Sequence, residues 1–294
     1  MRTLSWLTVL LVACSPSGAP PTPGGFLTPA EYCGVSGTSG IAAWSGGVLT
    51  ACPTPEAIDE APSGCAHYRV EAGRLRPLEL TGARLAWGAA NGAIVVWGED
   101  GSLRVRASSG AERLLAPWAT DPSVGPSGTT VAYLTTDTLD EEGEPIPGEP
   151  LRVVLHSIES GTGHTLASDA EAASPFALPD GSGVLYVSTR TGVASIWRAR
   201  RDGETQLTNA GLAGVEQGFV PVPAGELIWI ARTSTAIFTA RYDDARLWQL
   251  DAQSGEASEL GPGSLPQLAD ATSVLALGGT EAGCAARYTI GRTP

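Results

Sequence analysis

The sequence contains no lysine, only three histidines and a single methionine. Every basic residue is therefore an arginine, and 31 acidic residues outnumber 18 basic ones to give a net charge of −13. This balance argues against nucleic acid and anionic lipid surfaces as partners. The chain also lacks a G-x-S-x-G elbow, an HExxH pattern and a CxxC pair, so common catalytic and metal motifs are missing.

No apolar run is long enough to span a bilayer, but the chain opens with a short one, MRTLSWLTVLLVAC. A single arginine, the apolar stretch 4–13 and the small residue before Cys14 are typical of a signal peptide. The end, LVAC, resembles a bacterial lipobox, in which the cysteine is lipidated. We therefore expect a signal peptide over 1–13 and lipidation at Cys14. The alternative is a buried N-terminal strand that ends in cysteine.

Lipidation would anchor the protein to a membrane, since each buried CH₂ of an acyl chain contributes ~0.8 kcal/mol. Ser15 follows the cysteine where an aspartate would signal retention, which favours the bacterial outer membrane, on its periplasmic face or at the cell surface. Proline, glycine and serine dominate the next stretch, so residues 14–25 are expected to form a flexible tether. The folded domain is predicted to cover 26–294.

Glycine (37) and proline (22) are abundant, and short β-branched runs alternate with turn residues, which predicts an all-β domain. Six segments share a turn that precedes an apolar run: WSGGVLTA (44–51), AANGAIVVW (89–97), GPSGTTVAYL (125–134), LPDGSGVLYV (178–187), VPAGELIWI (222–230) and LADATSVLAL (268–277). A second turn follows in five units, at 71–80, 108–116, 159–168, 201–209 and 253–260. Five units should therefore have four strands and the last unit three.

The segment SPFALPDGSGVLYVSTRTGVASIWRARRDGETQLTN (174–209) resembles the repeat of TolB-type β-propellers. It shares with that repeat a proline, an acidic-glycine turn, an aromatic strand, a charged-glycine turn and a leucine-threonine pair. The resemblance implies a six-bladed β-propeller with four-stranded antiparallel blades around a central channel. The three-stranded last blade would be completed by an N-terminal strand over 27–36, which closes the ring and removes an exposed edge.

Four cysteines besides Cys14 bear on this closure. In the implied blade order, Cys52 ends a strand and Cys65 begins its neighbour, so we expect one disulfide there. Cys33 on the closing strand and Cys284 on the last strand would form the second. The alternative is four buried free thiols.

Long connections between second and third strands are predicted at 53–64, 136–150 and 232–243, on one face of the propeller. Nine acidic residues would lie there: Glu56, Asp59, Glu60, Asp137, Asp140, Glu141, Glu142, Glu144 and Glu149. Long loops on a rigid scaffold favour a docking surface for a protein or glycan partner. The alternatives are solvated loops that maintain solubility, or a weak Ca²⁺ site, although EF-hand spacing is absent.

Other chemistry is sparse, so we predict no catalytic residue, no metal site and no cofactor. His67, His156 and His164 fall on outer strands, away from the channel. The predicted innermost strands offer only Asp121 and Gln217, which is not the ligand set of a metal-dependent hydrolase or lactonase, the alternative function.

Aromatic residues that follow the turns, such as Trp97 and Tyr186, are expected in the core. Asp180 is expected to be a turn residue, since Gly46 and Ala224 occupy the same slot in other units.

Overall fold

The computed structural model describes residues 40–45, 47–52, 64–71, 74–125, 127–178, 180–192, 195–207, 228–229, 235–240, 246–251, 257–262, 264–270, 273–277 and 286–289. These residues form strands, turns and one short 3-10 turn at Ala90–Gly92. Within the described ranges, no helix has the length and apolar character needed to cross a membrane. The prediction of an all-β chain is confirmed.

The first three sheets have four strands each, paired in chain order. The first sheet contains β1 (Gly40–Ser45), β2 (Val48–Cys52), β3 (Ala66–Glu71) and β4 (Arg74–Pro77). The second contains β5 (Ala83–Gly88), β6 (Ile94–Gly98), β7 (Leu103–Arg106) and β8 (Glu112–Ala116). The third contains β9 (Thr120–Val124), β10 (Thr130–Thr135), β11 (Leu151–Ser157) and β12 (Gly163–Asp169).

The remaining sheets follow the same antiparallel order, and the last has three described strands. The fourth sheet contains β13 (Ala172–Ala177), β14 (Gly183–Ser188), β15 (Ser195–Arg200) and β16 (Gly203–Gln206). The fifth contains β17 (Ile228–Trp229), β18 (Thr235–Ala240), β19 (Arg246–Asp251) and β20 (Ala257–Pro262). The sixth contains β21 (Ser264–Asp270), β22 (Ser273–Leu277) and β23 (Ala286–Thr289).

The turns predicted from glycine-containing segments connect the first and second strands in the first four sheets. They also connect the third and fourth strands, for example at 107–111 and 158–162. In the turn that begins at Asp180, the side-chain Oδ1 accepts the Ser182 N–H at 2.9 Å, and Gly181 has a φ of +67°. Asp180 is therefore a turn residue, as predicted.

One predicted loop is wrong. The segment 232–243 was expected to be a long connection, but Thr235–Ala240 forms β18 and pairs with β17 and β19. Its sequence, TAIFTA, is rich in β-branched and aromatic residues that favour strands. The second strand of the fifth sheet therefore lies later in the chain than predicted. The connection between the second and third strands of this sheet spans only 241–245.

The first four sheets pack face to face in succession through apolar side chains. Trp97 of the second sheet and Tyr133 of the third lie in one buried cluster, and Leu134 and Tyr186 join the third sheet to the fourth in another. The predicted core role of these aromatic residues is confirmed, because Trp97, Tyr133 and Tyr186 are at most 5% exposed. The first strands of neighbouring sheets lie side by side, as with β1 and β5, β9 and β13, and β17 and β21.

The turns of neighbouring sheets also touch. The Ala90 N–H donates to the Gly128 carbonyl at 2.8 Å. A Cβ atom at Gly128 would lie 2.8 Å from the Ala90 nitrogen, and Gly128 has a φ of +69°. This position needs glycine both for its backbone conformation and for the close approach of the adjacent turn.

Cys65 is disulfide-bonded. Ala51 on β2 faces Ala66 on β3, so Cys52 and Cys65 continue this register by one residue on each strand. Facing positions on antiparallel strands have Cα separations that a disulfide can bridge. The partner of Cys65 is not identified by this register, and the Cys52–Cys65 pair stays a prediction. Cys33 and Cys284 lie outside the described residues, and their pairing stays a prediction.

Candidate functional site

The connection between β10 and β11, residues 136–150, forms a small ordered hairpin that we call the acidic hairpin. Leu139 and Pro145 form an isolated antiparallel bridge, and the Asp140 N–H donates to the Glu144 carbonyl at 2.8 Å. Gly143 closes the tip with a φ of +86°, a conformation that glycine adopts readily. The sequence prediction of a long loop at this position is confirmed, and the loop has defined internal structure.

Two of its acidic side chains hold the hairpin together. Asp140 Oδ1 accepts the backbone N–H groups of Glu142 at 3.0 Å and Glu144 at 2.8 Å. At its base, Asp137 Oδ1 lies 2.6 Å from Arg152 Nη2 on β11. These two carboxylates therefore act mainly within the hairpin.

The other carboxylates of the acidic hairpin face solvent. The side chains of Glu141, Glu142, Glu144 and Glu149 are exposed and form no hydrogen bond or ion pair with the described part of the chain. Two apolar side chains accompany them, since Leu139 is 37% exposed and Ile146 is 39% exposed. The hairpin thus presents negative charge beside apolar surface. The other predicted members of this acidic face, Glu56, Asp59 and Glu60, lie outside the described residues.

The carboxylates of the hairpin do not converge on a common point. Among the residues that the structure describes, no group of three or more His, Cys, Asp or Glu side chains could hold a metal ion.

A second charged cluster surrounds Arg190 in the connection between β14 and β15. This connection corresponds, in the fourth sheet, to the acidic hairpin of the third sheet. The Arg190 guanidinium lies 3.3 Å from Asp169 Oδ2 and 2.5 Å from Glu204 Oε2, and its Cζ lies 3.5 Å from the centre of the Trp197 ring. The Tyr186 hydroxyl donates to Glu204 Oε2 at 2.9 Å. Asp169 is almost fully buried, so this cluster neutralises its charge and ties β12 to the next sheet.

The histidines belong to strands β3, β11 and β12, as predicted from the sequence. His67 Nε2 lies 3.2 Å from the Ala83 carbonyl, and its Nδ1 lies 3.0 Å from the Thr50 hydroxyl. Burial lowers the pKa of His67, although the Ala83 hydrogen bond opposes this shift. A neutral ring that donates from Nε2 and accepts at Nδ1 fits these contacts. His156 is also buried and lies 3.2 Å from the Tyr133 hydroxyl through its Nδ1.

Asp121 lies on β9, the first strand of the third sheet. It is half-buried, and its Oδ2 accepts the Ser174 N–H of the neighbouring sheet at 3.2 Å. Desolvation raises the pKa of this carboxyl, while hydrogen bonds from Ser174 and Thr120 oppose the shift. Gln217, the other polar residue predicted on a first strand, lies outside the described residues.

Sequence reasoning identified the carboxylates of the acidic hairpin but missed its two exposed apolar residues. The alternation of Leu139 and Ile146 with acidic and proline residues was the available signal. Sequence reasoning also treated Asp121 as an isolated polar residue. The signal there was the repeat of an X-Pro pair, Asp121-Pro122 and Ser174-Pro175, in consecutive units.

No protein-family model matches the sequence, and no curated protein matches it. Solved structures with a similar fold include a putative TolB from Agrobacterium tumefaciens, at 17% identity and a TM-score of 0.50, with 84% of this chain and 82% of that chain covered. TolB from Acinetobacter baumannii has 13% identity and a TM-score of 0.50, and the match covers 72% of this chain but only about half (53%) of that one. Regucalcin from Agrobacterium tumefaciens, described as a calcium-binding protein, has 15% identity, a TM-score of 0.50 and coverage of 93% and 91%. At these identities the likeness concerns the fold, which is that of a β-propeller similar to TolB.

Proposed function

We propose that this protein is a bacterial envelope lipoprotein whose β-propeller is a non-enzymatic scaffold that docks a protein partner. The observation that carries the proposal is the acidic hairpin 136–150. Its free carboxylates and two exposed apolar side chains stand together on an ordered projection from a packed sheet. A complementary partner would present a basic surface with an apolar patch.

In this proposal the propeller has six blades. Five four-stranded sheets and one three-stranded sheet in chain order support that number. The N-terminal segment 27–36 would complete the last blade. The sequence MRTLSWLTVLLVAC supports a lipid anchor at Cys14, with an outer-membrane location. The tether over 14–25 would allow the domain to reach a partner in the envelope.

A protein partner is favoured over a glycan because glycan sites commonly expose aromatic faces, whereas the hairpin offers carboxylates and aliphatic side chains. The metal-dependent hydrolase considered from the sequence would need converging ligands. The described residues contain no such group, and the proposal therefore does not include a reaction.

The test is a pull-down from envelope extracts with the lipidated full chain. The variant changes Glu141, Glu142 and Glu144 to glutamine. Asp140 is left in place because its carboxylate fixes the hairpin backbone. A matched control changes three exposed acidic residues elsewhere, Glu79→Gln, Glu159→Gln and Asp202→Asn, which alters net charge equally.

We expect a protein partner that the wild type and the control retain and that the hairpin variant loses, with binding weakened by added salt. An Ile146→Ser variant should weaken the same partner. If all variants capture the same proteins in the same amounts, docking through the acidic hairpin is wrong. Retention of a glycan alone would also overturn the assignment of a protein partner.

A further inference from the structure

Asp121 and Ser174 occupy the same position in consecutive sheets. Each precedes a proline on the first strand of its sheet, and each lies at an irregularity in the pairing with the second strand. Each also has a positive φ, +49° at Asp121 and +48° at Ser174. The two bulges are joined directly, because Asp121 Oδ2 accepts the Ser174 N–H and the Ser123 hydroxyl donates to the Pro175 carbonyl at 2.5 Å.

The backbone at this position does not require a carboxylate. Ser174 adopts the same left-handed conformation without a charged side chain. Asparagine would tolerate this conformation as well as aspartate does, and its side-chain oxygen would accept the same N–H. A non-glycine residue held in this conformation is strained, and such strain concentrates at functional positions.

The negative charge of Asp121 is not balanced within the described part of the chain. Its Oδ2 has one backbone N–H, and its Oδ1 has only the Thr120 hydroxyl at 3.5 Å. No described basic side chain forms an ion pair with it, and no charged group contributes to its raised pKa. A carboxylate partly removed from water without a countercharge is unfavourable, and an oppositely charged ligand would relieve that penalty.

The position is not sealed from solvent. Asp121 is half-buried, so part of its surface reaches solvent. Ser174 is also half-buried, and its hydroxyl has no hydrogen bond to the described residues, so it can accept one from a ligand N–H. Asp121 pairs close to the C-terminal end of β10, at the end of the sheet from which the acidic hairpin projects.

We propose that Asp121 is the recognition residue for an organic cation, a protonated amine or a guanidinium, that enters at the first-strand edge between the third and fourth sheets. The carboxylate pairs with the charge of the cation, and the hydroxyls of Thr120 and Ser174 accept further N–H bonds. A divalent metal fits less well, because one carboxylate oxygen already accepts an N–H and Ca²⁺ prefers six to eight oxygen ligands. The inference holds whether or not the acidic hairpin docks a partner.

The test is a titration of the full chain followed by the amide resonance of Ser174, which donates directly to Asp121. The probes are N-acetyl-arginine amide and butylammonium, with N-acetyl-citrulline amide as an uncharged match for the arginine probe. A blocked pentapeptide with one central arginine distinguishes the two sources of a guanidinium. Tighter binding of the peptide indicates a protein side chain, and tighter binding of the single amino acid indicates a small ligand.

We expect saturable binding of a cationic probe, no binding of the citrulline probe, and affinity about tenfold weaker or more in Asp121→Asn. Asparagine keeps the hydrogen bond to Ser174, so the amide spectrum should show an intact fold. The control Asp180→Asn, which also neutralises a carboxylate that accepts a backbone N–H, should bind like the wild type. Equal affinity of wild type and Asp121→Asn, equal binding of the citrulline probe, or no saturable shift with either cationic probe would overturn the assignment.

Discussion

The carboxylates of this chain occupy three different environments, and each environment determines what the charge can do. Those of Glu141 and Glu144 are exposed and free, so they can meet a partner at little cost. Asp169 is buried, but Arg190 neutralises it. Asp121 is partly desolvated and has no countercharge among the described residues. At the residue scale, the third environment is the one that opposes folding most directly.

The variant Asp121→Asn should therefore stabilise the protein at neutral pH. Burial holds the folded-state pKa of Asp121 above its ordinary value of 3.8, so the folded chain binds this proton more tightly than the unfolded chain does. The resulting stabilisation is complete below pH 3.8 and is lost as pH rises through the folded-state pKa. The Asp121→Asn variant has no such loss of stability. Its melting temperature at pH 7 should therefore be a few degrees higher than that of the wild type.

The measurement is thermal unfolding of both proteins from pH 7 downwards, with the difference in melting temperature plotted against pH. The gain should shrink as the pH falls, because protonation removes the cost in the wild type. Asp202→Asn, at an exposed turn, should stay within about 0.5 kcal/mol of the wild type throughout. A destabilised Asp121→Asn, or a difference that does not change with pH, would contradict this account.

At the scale of elements, the sequence was informative wherever a turn needs a particular residue. Gly181 and Gly128 have positive φ values, so glycine marks these turns in the sequence, and the strands on either side could be placed from them. This local chemistry was sufficient for the strand order of the first four sheets and for Asp180.

Elements whose position depends on tertiary pairing were not predictable in this way. The strand β18 carries no turn glycine of its own, and its pairing with β19 decides that it is a strand. The roles of Asp121 and Ser174 depend on two bulges from different sheets meeting across 53 residues of sequence. Likewise, the exposure of Ile146 depends on how the acidic hairpin folds back on itself.

Hydrogen bonds from side chains join neighbouring sheets, and Thr50 provides the clearest case. Its hydroxyl on β2 accepts the Ala86 N–H of β5 at 3.0 Å and lies 3.0 Å from His67 Nδ1. Thr50→Val keeps the shape but leaves both groups buried without a partner. Since each such group costs about 1–3 kcal/mol, we expect a loss of about 3 kcal/mol in the free energy of unfolding, measured with urea.

The matched control for this prediction is Thr165→Val, on an exposed position of β12 with no side-chain hydrogen bond to the described residues. Its effect should be within about 0.5 kcal/mol. If the two variants lose similar amounts of unfolding free energy, the hydrogen bonds of Thr50 between the first and second sheets contribute no measurable stability.

At the scale of the whole molecule, the chain is a succession of sheets, of which the first four pack each on the next and the fifth contacts the sixth. Such an arrangement buries its apolar faces through neighbours, so its two terminal sheets are the weakest points unless they meet. The sixth sheet has β23 as its last described strand, with an edge that a further strand could pair. Ring closure therefore determines whether the fold unfolds as one unit or from its ends.

The predicted Cys33–Cys284 disulfide provides a direct test of closure by residues 27–36. Cys33→Ser, produced in an oxidising compartment, should lower the melting temperature, since a disulfide across so long a loop contributes on the order of 4 kcal/mol. The same change should leave Cys284 as a free thiol that a maleimide reagent labels under denaturing conditions. Cys52→Ser is the matched control and should free Cys65 instead, because the register of β2 and β3 places these two side by side. The decisive outcome would be Cys65 labelled in Cys52→Ser but Cys284 unlabelled in Cys33→Ser. In that case the first and last segments are not joined by this disulfide. The sixth sheet must then keep its edge or pair it with another segment.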